Sequence, residues 1–279
     1  MQPGARRAPV GAAVWLGGAL ILLAVMAALG AAWVAPYPPL RQHLDSRLVG
    51  PNPTFWLGTD ELGRDVLSRL VYGARITLAV ALGAMGIALP LGCALGLWAG
   101  FVGGWVETLA MRAIDVLLAF PTTLLALVLV ASLGPSPRSV VVALGIAYLP
   151  PFARLARAAT LRERARDYVL ASEALGQSQL GVLRRHVVPN VAPDVVIQLS
   201  LAIPGAMLAE AGLSFLGLGV SPAEPSWGRM MSNATAVVHT APHVVLTPLV
   251  PLVATVLGFF LLADGLRTLA APRAAGRVA

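Results

Sequence analysis

Thirteen carboxylates, four histidines and one cysteine would have to carry any catalysis or metal binding in this chain of 279 residues. Their spacing does neither. His43, His186, His239 and His243 are scattered. His239 and His243 stand four apart, which puts both imidazoles on one helical face, yet no carboxylate or cysteine completes a zinc site. They read as a solvent-side pair. Ser214 stands in Gly-Leu-Ser-Phe-Leu-Gly, not in a nucleophile elbow. There is no G-x-x-x-x-G-K-[ST] loop, so ATP is not bound by that route. Cys93 lies in an apolar run; it can form no internal disulfide and reads as a small buried hydrophobe. The sequence offers no catalytic residue, no metal site and no cofactor site.

What remains are ionisable groups beside apolar runs, where charge is costly and often functional. Asp264, with Arg267 one turn on, reads as a span end, as do Glu107 and Arg112. Asp115 and Glu210 are the others. Glu210 is the candidate for a translocation pathway, with Ser214, Phe215 and Trp227 close by in sequence.

The elements that position these groups belong to a membrane protein. Hydrophobic residues make up 57% of the chain and charged residues 12%, with a mean hydropathy of +0.78; a soluble domain carries about 25% charge. The net charge of +7 fits loops facing anionic lipid rather than nucleic acid. All 20 basic residues are Arg, which reads as genomic composition bias.

Residues 1–9 hold Arg6 and Arg7 and form a short N-terminal segment. Residues 10–35 are uncharged and long enough to span, so they read as a retained signal anchor with the N-terminus inside. Residues 36–75 read as an external loop ending in an amphipathic helix over Thr59–Tyr72. There Leu62, Val66, Leu67 and Leu70 share one face, while Glu61, Arg64, Asp65, Ser68 and Arg69 share the other, with Asp65 and Arg69 as an i,i+4 pair. Further spans are expected at 76–101, at 106–133 with a kink at Pro121, at 139–157, at 193–211 and at 244–263. Residues 213–243 read as an external segment and 264–279 as a tail. Six spans place both termini on one side. The seven Arg within 152–186 and the Arg of the two tails mark that side as the cytoplasm.

The longest polar interval is 161–190. Leu161, Ala165, Tyr168, Ser172 and Leu175 recur at helical spacing, Gly176 suits a helix stop, and Leu180, Leu183 and Val187 give a second short stripe closed by Pro189. Arg162, Arg166 and Arg184 lie around it.

This interval resembles the cytoplasmic coupling motif of ABC importer permeases, which has a Glu-Ala-Ala start, a Gly six residues after the Glu, and a Pro thirteen residues after the Gly. Gly176 and Pro189 match, as does Ala171. Leu170 stands at the Glu position and Ser172 at the second Ala, and Glu173 comes three residues late, followed by Ala174. Leu57–Arg75, LGTDELGRDVLSRLVYGAR, and Glu210–Gly228, EAGLSFLGLGVSPAEPSWG, are similar to the second permease subunit of dipeptide, oligopeptide and nickel importers. The resemblance covers essentially the whole chain. It implies an all-α fold of six transmembrane helices of the type I importer, with the core permease domain at 76–268, in a bacterial inner membrane.

It further implies a second homologous permease, two ATPase subunits holding ATP and Mg, and an external binding protein as partners. Cargo is then a di- or oligopeptide, with nickel, haem or another small solute as the alternative. An ion-coupled secondary transporter is a separate reading; it would need charged groups and broken helices near the midplane.

Overall fold

A helix in lipid must satisfy its own backbone, and that requirement sets the architecture. The computed structural model describes residues 10–221 and 224–275, with the side chains of Val10 and 269–275 aside. Arg6, Arg7, Arg273 and Arg277, part of the charge bias above, lie outside the described residues or side chains. The helices run α1 (Val10–Leu29), α2 (Ala31–Val34), α3 (Val66–Val102), α4 (Gly104–Leu118), α5 (Thr122–Leu133), α6 (Pro137–Arg164), α7 (Asp167–Ala174), α8 (Gln179–Val182), α9 (Val188–Phe215), α10 (Trp227–Ala234) and α11 (Pro242–Ala275). Among the described residues there is no strand. Five helices are each long and apolar enough to cross a membrane. The pair α4 and α5 is bent by 86°, and counted as one broken span it makes six.

Several boundaries differ from the sequence reading. The second span does not begin at residue 76. α3 starts at Val66 and runs unbroken for 37 residues, so no separate amphipathic helix covers Thr59–Tyr72. Thr59–Asp65 is instead a turn closed by a bridge between its ends. The Asp65–Arg69 pair is not formed either. Asp65 caps α3, its carboxylate accepting from Ser68 N and Ser68 Oγ at 2.7 Å each. Arg69 turns to Asp60 at 3.4 Å, where Arg64 already sits at 2.7 Å. The polar face is the buried one: Arg64, Asp65, Ser68 and Arg69 are each 5% exposed or less. Burial there raises the pKa of Glu61, with Asp60 adding to it.

The third span is a sharp corner rather than a kinked helix. Pro121 itself leaves the helical region, with φ −53 and ψ 132, and stands as the N-cap residue of α5. The fourth span extends to Arg164, past the expected end at 157, with Pro150 and Pro151 inside it. Pro189 lies in the first turn of α9 and Pro193 inside it, and neither interrupts the chain. α8 passes through a π turn at Leu183–Val187 into α9, and the continuous helix carries both prolines through to Phe215.

The core is the seam between α3 and α6. Gly92, Gly96 and Gly100 recur every four residues along α3 and face Leu149, Ala153 and Arg157 of α6. A Cβ on Gly92 would lie 2.7 Å from the Leu149 carbonyl oxygen, and one on Gly96 would sit on the Ala153 carbonyl itself. Close backbone approach of this kind is what small residues provide between helices in lipid. α1 packs on α11 at the side, and α9 completes the core against α3, α6 and α11.

Candidate functional sites at the two ends of the bundle

The polar interval becomes a docked hairpin. α6 ends at Arg164, not at a helix stop near 176, so the expected stripe from Leu161 to Leu175 is divided between two helices. Leu161 belongs to α6; Tyr168, Leu170, Ala171, Ser172, Glu173 and Ala174 belong to α7. Arg166 precedes α7 as its N-cap residue, with extended backbone. Gly176 follows α7 with φ +82, and its amide closes back on Glu173 O. This is the left-handed C-terminal stop that glycine accepts without steric cost.

The anchor of α7 is a residue outside the sequence stripe. Val169 is fully buried with Phe101 at the end of α3 and with Val182 of α8. Arg164 clamps the same end: its guanidinium lies 4.8 Å from the Phe101 ring centroid and donates to the Phe101 carbonyl. Tyr168 Oη donates to Glu163 Oε2 at 2.6 Å and accepts from Asn190 Nδ2 at 3.1 Å, which ties α6, α7 and α9 together. These residues border a cavity of about 520 Å³ with Arg166 and Asp167. Ser172 Oγ donates to Gln177 and approaches His186 at 3.4 Å.

Arg162 is not a free rim group; it pairs with Asp194 on α9 at 2.8 Å. Arg184 is exposed in the π turn and Pro189 is exposed at the start of α9. The hairpin also leaves large apolar side chains uncovered. Leu170 is 51% exposed, Tyr168 44% and Leu175 88%. None of the three joins the buried cluster around Val169. Nearby, α6 pairs with α4 through Arg154–Asp115 at 2.6 Å and through Arg157–Glu107. Asp115, Glu107 and their arginines are therefore ion pairs at the helix surface.

At the opposite end, the expected pathway group is sealed inside the protomer. Glu210 and Ser214 are 0% exposed and Trp227 is 1% exposed; of the four candidates only Phe215 is open, at 49%. Glu210 Oε1 accepts from Ser214 Oγ at 2.7 Å, and Oε2 accepts from Thr77 Oγ1 at 3.3 Å. Thr77 Oγ1 in turn accepts the Trp227 amide at 3.2 Å, and the Trp227 indole donates to Leu70 O at 3.0 Å. Ser226 Oγ reaches Ser214 Oγ at 3.4 Å and caps α10 at the Arg229 amide. One carboxyl thus ties α3, α9 and α10 into a knot that fixes the segment after α9. Thr77 and Ser226 carried no signal in the sequence, since each is a lone hydroxyl whose partners lie far along the chain.

Removing this carboxyl leaves the hydroxyls of Thr77 and Ser214 short of an acceptor and opens a void. Glu210→Ala should lower the stability of the purified protein by about 2–4 kcal/mol. Glu210→Gln, which keeps the volume and an acceptor, should cost about 1 kcal/mol. Chemical denaturation of the two variants beside the parent checks this, and equal loss in both would show that the hydrogen bonds are immaterial.

Among the described residues no group of three His, Cys, Asp or Glu side chains can hold a metal ion. His239 is exposed, and His243 packs against Gly58 with Nε2 buried.

Comparison with known proteins places this architecture. Residues 92–276 match the family described as binding-protein-dependent transport system inner membrane component. The di/tripeptide transport system permease protein DppC of Pseudomonas aeruginosa is 44% identical over 265 residues, covering 92% of this chain and 88% of the relative. The glutathione transport system permease protein GsiD of Pectobacterium atrosepticum is 39% identical over 257 residues, covering 92% of this chain and 85% of the relative. The solved inward-facing MetNI methionine ABC transporter matches with a TM-score of 0.56 at 20% identity, over 74% of this chain and 95% of that one, and shares the fold. A continuous bundle with a small docked hairpin at one end, matched at this identity over nearly its whole length, is a multi-pass membrane component of a transport system, and the chain belongs to the binding-protein-dependent transport system inner membrane component family.

Proposed function

We propose that this chain is one half of the translocation pathway of an ATP-driven importer of small peptides. α7 supports the reading most directly: a short helix fastened to the bundle through Val169, with Tyr168, Leu170 and Leu175 left uncovered. A partner groove that takes these side chains recovers about 1.5–3 kcal/mol for each large one. The sequence has no nucleotide loop of its own, so energy arrives through this contact from two ATPase subunits that bind ATP and Mg. A second, homologous permease forms the other half, and an external binding protein delivers the cargo. In this orientation both termini and α7 are cytoplasmic, and α10 with the Glu210 knot is external.

The relatives named for di- and tripeptides and for glutathione support peptide cargo. No observation favours nickel or haem. The ion-coupled reading loses its main support, because Glu210 is held by hydroxyls inside one protomer rather than lining a path. Proteoliposomes holding the full complex test the function. Uptake of radiolabelled dialanine should require both ATP and the loaded binding protein. Uptake driven by a proton or sodium gradient without ATP would contradict it.

Gly176 provides a graded check on coupling. A side chain there meets nothing within 4 Å, so a substitution acts through backbone strain alone, about 1–2 kcal/mol for an L-residue in the left-handed region. Gly176→Leu should lower peptide uptake per ATP on the order of tenfold, while Gly176→Asn, which tolerates that conformation, stays near the parent. Unchanged uptake per ATP in Gly176→Leu would remove the turn from the coupling path.

A further inference from the structure

We propose that the groove between the outer ends of α3 and α6 binds the charged termini of the peptide in transit, its carboxylate on Arg75 and Arg138 and its ammonium on Glu224. This deepens the peptide-import reading and rests on it. The groove has a volume of about 570 Å³, inside the roughly 300–1,000 Å³ of small-ligand sites. Arg75 comes from α3, Arg138 from the first turn of α6 and Glu224 from the segment before α10. The floor between them is apolar, with Ile76, Val80, Val141 and Val142.

The two cations are exposed, and Glu224 lines the groove with one carboxylate oxygen that has no partner. Among the described residues neither Arg75 nor Arg138 takes part in an ion pair or a side-chain hydrogen bond, whereas Arg64, Arg69, Arg154, Arg157 and Arg162 are all paired within the protomer. Glu224 Oε2 is buried with no hydrogen-bond partner. A buried acceptor left unpaired costs about 1–3 kcal/mol, and rotation of the Glu224 carboxylate toward the groove lets a bound ammonium recover it. Guanidinium groups take a carboxylate through paired N–H donors. Two cations and one anion over an apolar floor therefore match the backbone ends of a short peptide, whatever its side chains. Because the cations outnumber the anion, a second carboxylate on the cargo is favoured and an extra cation is not.

The test uses the full complex in proteoliposomes, with the binding protein saturated in turn by Ala-Ala, Ala-Glu and Ala-Lys. The parent should carry Ala-Glu faster than Ala-Lys. The double variant Arg75→Gln/Arg138→Gln should lower uptake per ATP of all three on the order of tenfold and lose that preference. Its ATPase activity stimulated by the loaded binding protein should stay within about twofold of the parent. Arg75→Lys/Arg138→Lys should restore at least part of the uptake, and Glu224→Gln should reduce it. Three results overturn the proposal: uptake per ATP unchanged in the double Gln variant; Lys variants no better than Gln; or loss of uptake together with loss of complex assembly, which makes the groove a contact with the second permease. A parent complex that hydrolyses ATP yet carries none of the three peptides overturns the import reading and this proposal together, whereas a transporting parent with indifferent variants overturns this proposal alone.

Discussion

Gly96→Leu should leave almost no folded protein in the membrane. Gly96 sits midway along the α3–α6 seam, where even a methyl group would occupy the position of the Ala153 carbonyl and press on Ala156 Cβ. Neither neighbour can yield. The carbonyl belongs to the α6 ladder, and Ala153 and Ala156 are themselves 0% exposed. The helices must separate, and separation also breaks the contacts at Gly92 and Gly100 and the contact of Gly145 with Ile87. A single overpacked site costs typically about 1–3 kcal/mol. Loss of a whole seam adds several such terms, against a total stability of about 5–15 kcal/mol. Gly86 is the control on the same helix, since a Cβ there meets nothing within 4 Å. Membrane-fraction protein and its size-exclusion profile should be near the parent for Gly86→Leu and near background for Gly96→Leu. Equal yields would show that the seam is not the core.

Val169→Asp should separate ATP hydrolysis from uptake while the bundle stays folded. Val169 shares a small cluster with Phe101 and Val182, apart from the main core. A carboxylate placed there enters an apolar cluster whose neighbouring cation, Arg164, is already engaged with the Phe101 ring and carbonyl, and a buried charge without a partner of its own costs several kcal/mol. The cheapest escape is to release α7, which is eight residues long and held otherwise by the Tyr168 bonds to Glu163 and Asn190, the Ser172 contacts and the Gly176 turn. A released α7 still exposes its apolar side but no longer moves with α3. Peptide uptake should fall more than about tenfold, a loss of at least about 1.4 kcal/mol of coupling, with the melting temperature of the bundle shifted by only a few degrees. Val169→Leu, which keeps the apolar contact, should retain most of the uptake. If Val169→Asp transports as the parent does, α7 is not the lever.

The bundle is legible in the sequence because lipid leaves few options. Long uncharged runs must be helices, so the number and approximate place of the spans come from hydropathy alone. The departures come from polar groups that find each other. Thr59–Tyr72 has an amphipathic pattern, and a pattern counts polar residues as outward. Arg64 and Arg69 instead share the Asp60 carboxylate, and the pairing that allows them inside is invisible until the turn is built. The corner at Pro121 is visible as a kink but not as an 86° bend, since proline fixes where a helix fails rather than the direction in which the chain continues.

The hairpin within 161–190 is legible in part. Its Gly176 turn comes from residue type, because few other residues accept φ +82 at no cost. The helix break at Ala165–Arg166 has no such marker, so the periodicity shows one stripe where two helices stand and gives no sign of Val169 as the anchor. The Glu210 knot is half legible. A carboxylate at the end of an apolar run signals importance, but its partner Thr77 lies 133 residues away. The knot makes Glu210 a brace for the segment after α9 rather than a group that lines a path.

The central claim is that ATP-derived motion enters this chain through the uncovered side of α7. A photo-activatable cross-linking residue at Leu175, with one at Trp56 as the control, measures it directly; both positions are exposed and they lie at opposite ends of the bundle. In the assembled complex the probe at Leu175 should capture an ATPase subunit in high yield, and the probe at Trp56 should capture none. Capture of the ATPase from Trp56, or of lipid alone from Leu175, would contradict the account.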